Sequence, residues 1–134
     1  MESGVRLAII TPEGVLLDEV VDYVSVPGTL GDFGVYFGHA TLLSSMRVGC
    51  LHYKVENEGV NVFVSGGFVD VSKEAVNVLA DVANPASFID VERAIRAKER
   101  AETRLREMPE GVDVERAQAA LERALKRLQI AALA

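Results

Sequence analysis

Tryptophan is absent from this chain of 134 residues, cysteine occurs once and histidine twice. A single cysteine, Cys50, allows no intrachain disulfide and no thiolate-rich metal centre, and it fits a reducing compartment. In the strand-like run Cys50-Leu-His-Tyr it reads as a buried, inert thiol. His39 and His52 leave little for acid–base work near neutral pH, and no metal-ligand spacing or nucleophile elbow accompanies them, so the chain is not expected to be an enzyme. Basic residues are outnumbered, 14 against 20 acidic, and a net charge of −6 has the wrong sign for neutralising a phosphate backbone. Nucleic acid is therefore not an expected partner. No uncharged apolar stretch approaches the roughly 20 residues needed to cross a bilayer, so any membrane association should be indirect. The first ten residues also lack the charged start, apolar middle and small-residue cleavage site of a signal peptide, and export is not expected.

What is present is ordinary globular material: 49% of residues are apolar and 25% charged, which suits one principal core in a chain of this size. The composition changes after Ala86. Residues 1–86 hold 4 basic and 11 acidic side chains, residues 87–134 hold 10 and 9. The first part is rich in Val, Phe and Tyr and is broken by Gly and Asn; Val20–Val26, Val60–Val64, Val69–Val71 and Ala75–Leu79 read as strands of an antiparallel sandwich. Past the turn signal Asn84-Pro85, Ala, Arg, Glu and Leu take over.

A first helix is expected over Asp90–Met108, with Val91, Ala94, Ile95, Ala101, Leu105 and Met108 inward, ended by Pro109 and Gly111. A second is expected over Asp113–Ala131, with Val114, Ala117, Leu121, Ala124, Leu125, Leu128 and Ala131 inward. Four or five connecting residues make them antiparallel neighbours, and Ala94, Ala97 and Ala101 opposite Ala117, Ala120 and Ala124 permit close approach. The hexapeptide Ile89–Ala94 (IDVERA) recurs as Val112–Ala117 (VDVERA), so Asp90 and Asp113 read as N-caps, with Glu92 and Glu115 complementing each helix dipole. A two-helix unit this short buries little by itself, so it should need a docking surface and is a candidate moving part.

The segment Pro27–Ala40 (PGTLGDFGVYFGHA) places Gly28, Gly31, Gly34 and Gly38 within eleven residues. Their spacing fits neither a dinucleotide fingerprint nor a P-loop, and they read as sites of positive φ or close backbone passage. With Leu42-Leu43, Val48-Gly49, Ser65–Val71 and Val78–Asp81, this segment resembles the epsilon subunit of F-type ATP synthases over nearly the whole chain. Thr41 departs from the pattern, standing where the family usually has proline.

The resemblance implies a ten-stranded antiparallel β-sandwich, residues 1–86, that binds the gamma subunit and the c-ring, followed by an antiparallel two-helix hairpin, residues 87–134, that restrains ATP hydrolysis. It implies a noncatalytic rotor subunit serving proton-driven ATP synthesis, attached peripherally at the cytoplasmic face of a bacterial inner membrane. Asp32 and His39 would lie near the c-ring loops. Arg93, Arg96, Arg100 and Arg104 form one basic stripe and Arg116, Arg123 and Arg127 another; like charges four apart repel, and an anionic partner would reverse the sign. That partner would be an acidic segment of the alpha or beta catalytic subunits, met by Arg116, or a nucleotide. Ile89, Asp90, Arg93 and Ala94 match the ATP-binding motif of some epsilon subunits, so Arg100, Arg123 and Arg127 would join them around ATP as a regulatory ligand. Asn84 stands where ATP binders carry an acidic residue. The contrasting expectation is a free-standing cytosolic adaptor or nucleotide sensor whose hairpin binds one acidic partner.

Overall fold

The computed structural model describes residues 4–134. Ten strands come first: β1 (Val5–Thr11), β2 (Gly14–Val21), β3 (Tyr23–Gly28), β4 (Gly31–Val35), β5 (Leu42–Ser45), β6 (Gly49–Val55), β7 (Glu58–Ser65), β8 (Phe68–Val71), β9 (Ala75–Leu79) and β10 (Val82–Pro85). A single 3₁₀ turn, Ala86–Phe88, leads to helices α1 (Val91–Glu107) and α2 (Val114–Ala131). The strands form two five-stranded sheets, ordered β2-β1-β9-β8-β5 and β10-β7-β6-β3-β4.

Alternation decides which faces meet. Val5, Leu7 and Ile9 of β1, Val76 and Val78 of β9, and Val62 and Val64 of β7 point between the sheets and are almost wholly buried, as a two-residue side-chain period requires. The expected antiparallel sandwich is present, with β1 and β9 as its one parallel pair among the described strands. One expectation needs correction. Val20–Val26 is not one strand: the chain breaks at exposed Asp22, and β2 and β3 enter different sheets. In the glycine-rich segment, Gly31 and Gly38 do take positive φ, 140° and 84°, and Gly28 packs too closely for a side chain. Gly34 does neither and has open space around it.

Both helices begin as the repeat implies. The Asp90 carboxylate accepts a bond from the Arg93 amide at 3.0 Å, and Asp113 does the same for Arg116 at 3.1 Å. Each cap satisfies an otherwise orphaned donor of the first turn, typically worth about 1 kcal/mol. Helix α1 stops when Met108 turns left-handed, its amide bonded to the Arg104 carbonyl, just before Pro109. The helices pack side by side on a seam of small residues: Ala94, Ala101, Ala117 and Ala124 are each at most 4% exposed. That seam is narrower than the expected stripes, since Val91, Ile95, Met108 and Leu125 remain exposed. Alanine pairs bring the backbones so close that larger side chains flanking them fall outside the contact.

Candidate functional site

Among the described residues four surfaces stand out. The first joins hairpin to sandwich. On β7, Val62 and Val64 face the core, so Phe63 must face the opposite way, yet it is wholly buried. It is covered by α2: Phe63, Ala86 and Ile130 form a second apolar cluster, with Val48, Cys50, Val82 and Ile89 packed against it. The Arg127 guanidinium lies over the Phe63 ring, 4.3 Å from its centroid, and its Nε donates to the Asn84 side-chain oxygen at 3.2 Å. Burial pushes the Arg127 pKa below its ordinary value, and the like charges of Arg123 and Arg93 push it further.

The second surface is the arginine field of the hairpin. Arg123 and Arg93 both lie near enough to Arg127 for their like charge to bear on it. Arg100 is about 10 Å further along α1 than Arg93, in an open groove of roughly 430 Å³ with Arg96, Glu99, Thr103 and Arg104. Arg116 borders a separate groove at the hairpin tip with Arg104 and Asp113. The expected ATP-site residues are thus partly gathered and partly spread. Within the hexapeptide, Ile89 packs on the Phe63 cluster, Asp90 caps α1 and Ala94 lies in the helix seam, while the Arg93 side chain is exposed and has no hydrogen-bond partner among the described residues.

The third is the β3–β4 end of the sandwich. Asp32 is ion-paired with Arg47 beside the β3–β4 turn, whereas His39 lies past the opposite end of β4, its ring Nδ1 meeting the Ala40 carbonyl at 2.6 Å, so the structure does not bring the two together. Two residues before Asp32 lies what residue reading missed: Leu30, fully exposed at the tip of the β3–β4 hairpin. Its signal was an apolar residue in a glycine-bounded turn, where polar residues are the rule.

The fourth is the outer face of the β1 sheet. Register aligns Phe68 with Leu79, Leu79 with Ile10, and Ile10 with Val15. Their neighbours Val69, Val78 and Ile9 point inward, so this row points out, with Phe68 46% and Val15 66% exposed. An apolar ladder spanning four strands on an uncovered face marks a contact surface.

A β-sandwich carrying a docked, arginine-rich helical hairpin, with its distinctive features on outer faces, defines a binding and transmission module. The chain belongs to the ATP synthase delta/epsilon chain family: residues 4–86 match its beta-sandwich domain and residues 88–132 its long alpha-helix domain. It is 49% identical over 130 residues to the ATP synthase epsilon chain of Nitratidesulfovibrio vulgaris, covering 97% of each chain. It is 47% identical over 133 residues to that of Lawsonia intracellularis, covering 99% of this chain and all of the relative. Among solved structures, it superposes with a TM-score of 0.82 and 25% identity on a chain of the Euglena gracilis mitochondrial ATP synthase, in a cryo-EM structure of OSCP, F1 and c-ring; the match covers 100% of this chain and 84% of that one.

Proposed function

We propose that the two halves divide the work, the sandwich, residues 1–86, holding the rotor partners and the hairpin, residues 87–134, acting as the regulator. The chain is a noncatalytic central-stalk subunit of ATP synthase, with the gamma subunit, the c-ring and the catalytic subunits as partners. The observation that carries this is the match to epsilon chains over essentially the whole length, both parts in order. A free-standing adaptor has no such support. No described helix is long and apolar enough to cross a membrane, which suits attachment through the complex. The bacterial relatives favour the cytoplasmic face of an inner membrane.

Gamma docks on the apolar row Phe68, Leu79, Ile10 and Val15, the large outer face that the hairpin leaves uncovered. The β3–β4 turn, with Leu30 and Asp32, meets the c-ring loops, and His39, past the opposite end of β4, makes a separate partner contact. Arg116 at the hairpin tip meets an acidic segment of a catalytic subunit. ATP, as a regulatory ligand, enters at Arg93, Arg123 and Arg127, whose like charges favour a polyphosphate, with Ile89, Asp90 and Ala94 framing the site and Arg100 at its margin. Co-purification tests the core of this reading: the chain should co-elute with gamma stoichiometrically, and a monomer that ignores gamma refutes it. Truncation after residue 86 should preserve that complex and raise ATP hydrolysis by the assembled enzyme; unchanged hydrolysis removes the regulatory role.

A further inference from the structure

We propose that Arg127, Asn84 and Phe63, with Ile130 as an apolar plug, form a latch that holds the hairpin docked without nucleotide. The inference rests on the reading of the hairpin as a regulator and names the contact that sets its resting state. Its basis is a coincidence of two registers. Asn84 on β10 pairs directly with Phe63 on β7, and Phe63 pairs directly with Cys50 on β6, so the three occupy one row on one outer face. Arg127 and Ile130 are three apart on α2 and therefore share a helix face. The pair on the helix meets the row on the sheet: Ile130 packs with Phe63, and Arg127 lies over the same ring while its Nε reaches Asn84.

Both partners of Arg127 in this contact are neutral, a π face and an amide oxygen. Neither needs a ligand to neutralise it, and the contact is complete as it stands. Only Nε is committed to Asn84, so the terminal nitrogens remain able to receive an anion from the side of Arg93 and Arg123. A nucleotide would then reinforce a latch that already exists. Asn84 is the adjustable element: a carboxylate there would convert a neutral acceptor into a charge-assisted one.

Cys50, the only cysteine, reports the state of the latch. It is half-buried beside Phe63 under α2, and its thiol pKa is raised chiefly by burial, so undocking should speed its modification. The test measures labelling of the full-length chain by a disulfide reagent such as dithiobis-nitrobenzoate, at several pH values, with and without ATP. Wild type should label slowly without ATP. Arg127→Ala and Asn84→Ala should label about tenfold faster or more, and Arg104→Ala, remote from the latch, at the wild-type rate. Asn84→Asp should label about fivefold more slowly, a change opposite to that expected from misfolding. In an Arg127→Ala background the Asn84→Asp slowing should vanish. Wild-type rates in both alanine variants, slow wild-type labelling only with ATP, or Asn84→Asp slowing that persists without Arg127 would each overturn the latch. Failure of the regulatory reading shows separately, as hydrolysis unaffected by truncation while the labelling pattern stands.

Discussion

Ile130→Ala separates docking of the hairpin from folding of the sandwich. Ile130 is 1% exposed, and in a rigid surround its truncation would cost about 2–5 kcal/mol in lost transfer and cavity terms. The surround is not rigid. Ile130 lies one residue from the end of α2 and outside the main core cluster, which draws all its residues from the sandwich. Releasing the hairpin avoids the cavity, so a penalty of about 2–3 kcal/mol should appear as a shift of roughly 30- to 140-fold toward the undocked state. Because a released two-helix unit of this length is only marginally helical, its amides lose protection too. Hydrogen exchange followed by mass spectrometry reads both effects. Peptides from α2 and from β6 around Cys50 should exchange faster by about that factor, while peptides from β1 and β9 keep wild-type rates. Equal acceleration everywhere would show that hairpin and sandwich unfold as one unit, and no acceleration would show that Ile130 contributes nothing to docking.

Phe68→Asp with Leu79→Lys should weaken gamma binding about a hundredfold or more by placing charges in the centre of an apolar contact, with little change in melting because the opposite charges face each other directly in register; retained binding would move gamma to another face. Asp113→Ala should destabilise by about 1 kcal/mol through loss of its cap, read by thermal denaturation, without altering any response to ATP. ATP should raise the melting temperature of the isolated chain, by about 2.7 kcal/mol of stabilisation at a hundredfold excess over Kd, and Arg93→Ala should remove that gain; no shift in wild type would leave the arginine field to a protein partner. The Asp18 carboxyl is held below the ordinary carboxylate range by its hydrogen bond to Arg6. Its contribution to stability is therefore present above its unfolded-state pKa and lost as pH falls through the lower folded value. Arg6→Ala should return its titration, followed by NMR, to the ordinary range.

The signals that were legible in the chain are the ones carried locally. Both N-caps and the end of α1 follow from short motifs whose backbone hydrogen bonds lie within one turn, and β9 occupies the residues that its alternation marks out. The relation between distant strands was hidden, because pairing register is not written in any one strand. Nothing in Val5–Thr11 or Ala75–Leu79 alone announces that they run parallel, and the row Phe68, Leu79, Ile10 and Val15 exists only once four strands are aligned. Ile130 escaped notice for a related reason. It lies off the stripe that seats α2 on α1 and serves a different contact, so a search for one helical face passes over it. Arg127 read as part of a basic stripe; its aromatic and amide partners are 64 and 43 residues away.

The two outer faces of the sandwich have different fates, and this sets the mechanical logic. The hairpin lies over β7 and β10 of one sheet, through Phe63 and Asn84. The open apolar row belongs to the other sheet, with the interdigitated core between them. A partner bound to that row does not compete with α2 for surface, so docking and release of the hairpin can proceed while the sandwich stays attached. The two parts are joined by the short 3₁₀ turn Ala86–Phe88, and Ala86 itself is part of the docked cluster. Undocking therefore breaks contacts at the hinge as well as at the latch, and the cost of release is concentrated in a few side chains rather than spread over the core. Regulation by a moving hairpin requires that separation, since a regulator whose release melted the sandwich would detach from the rotor each time it acted.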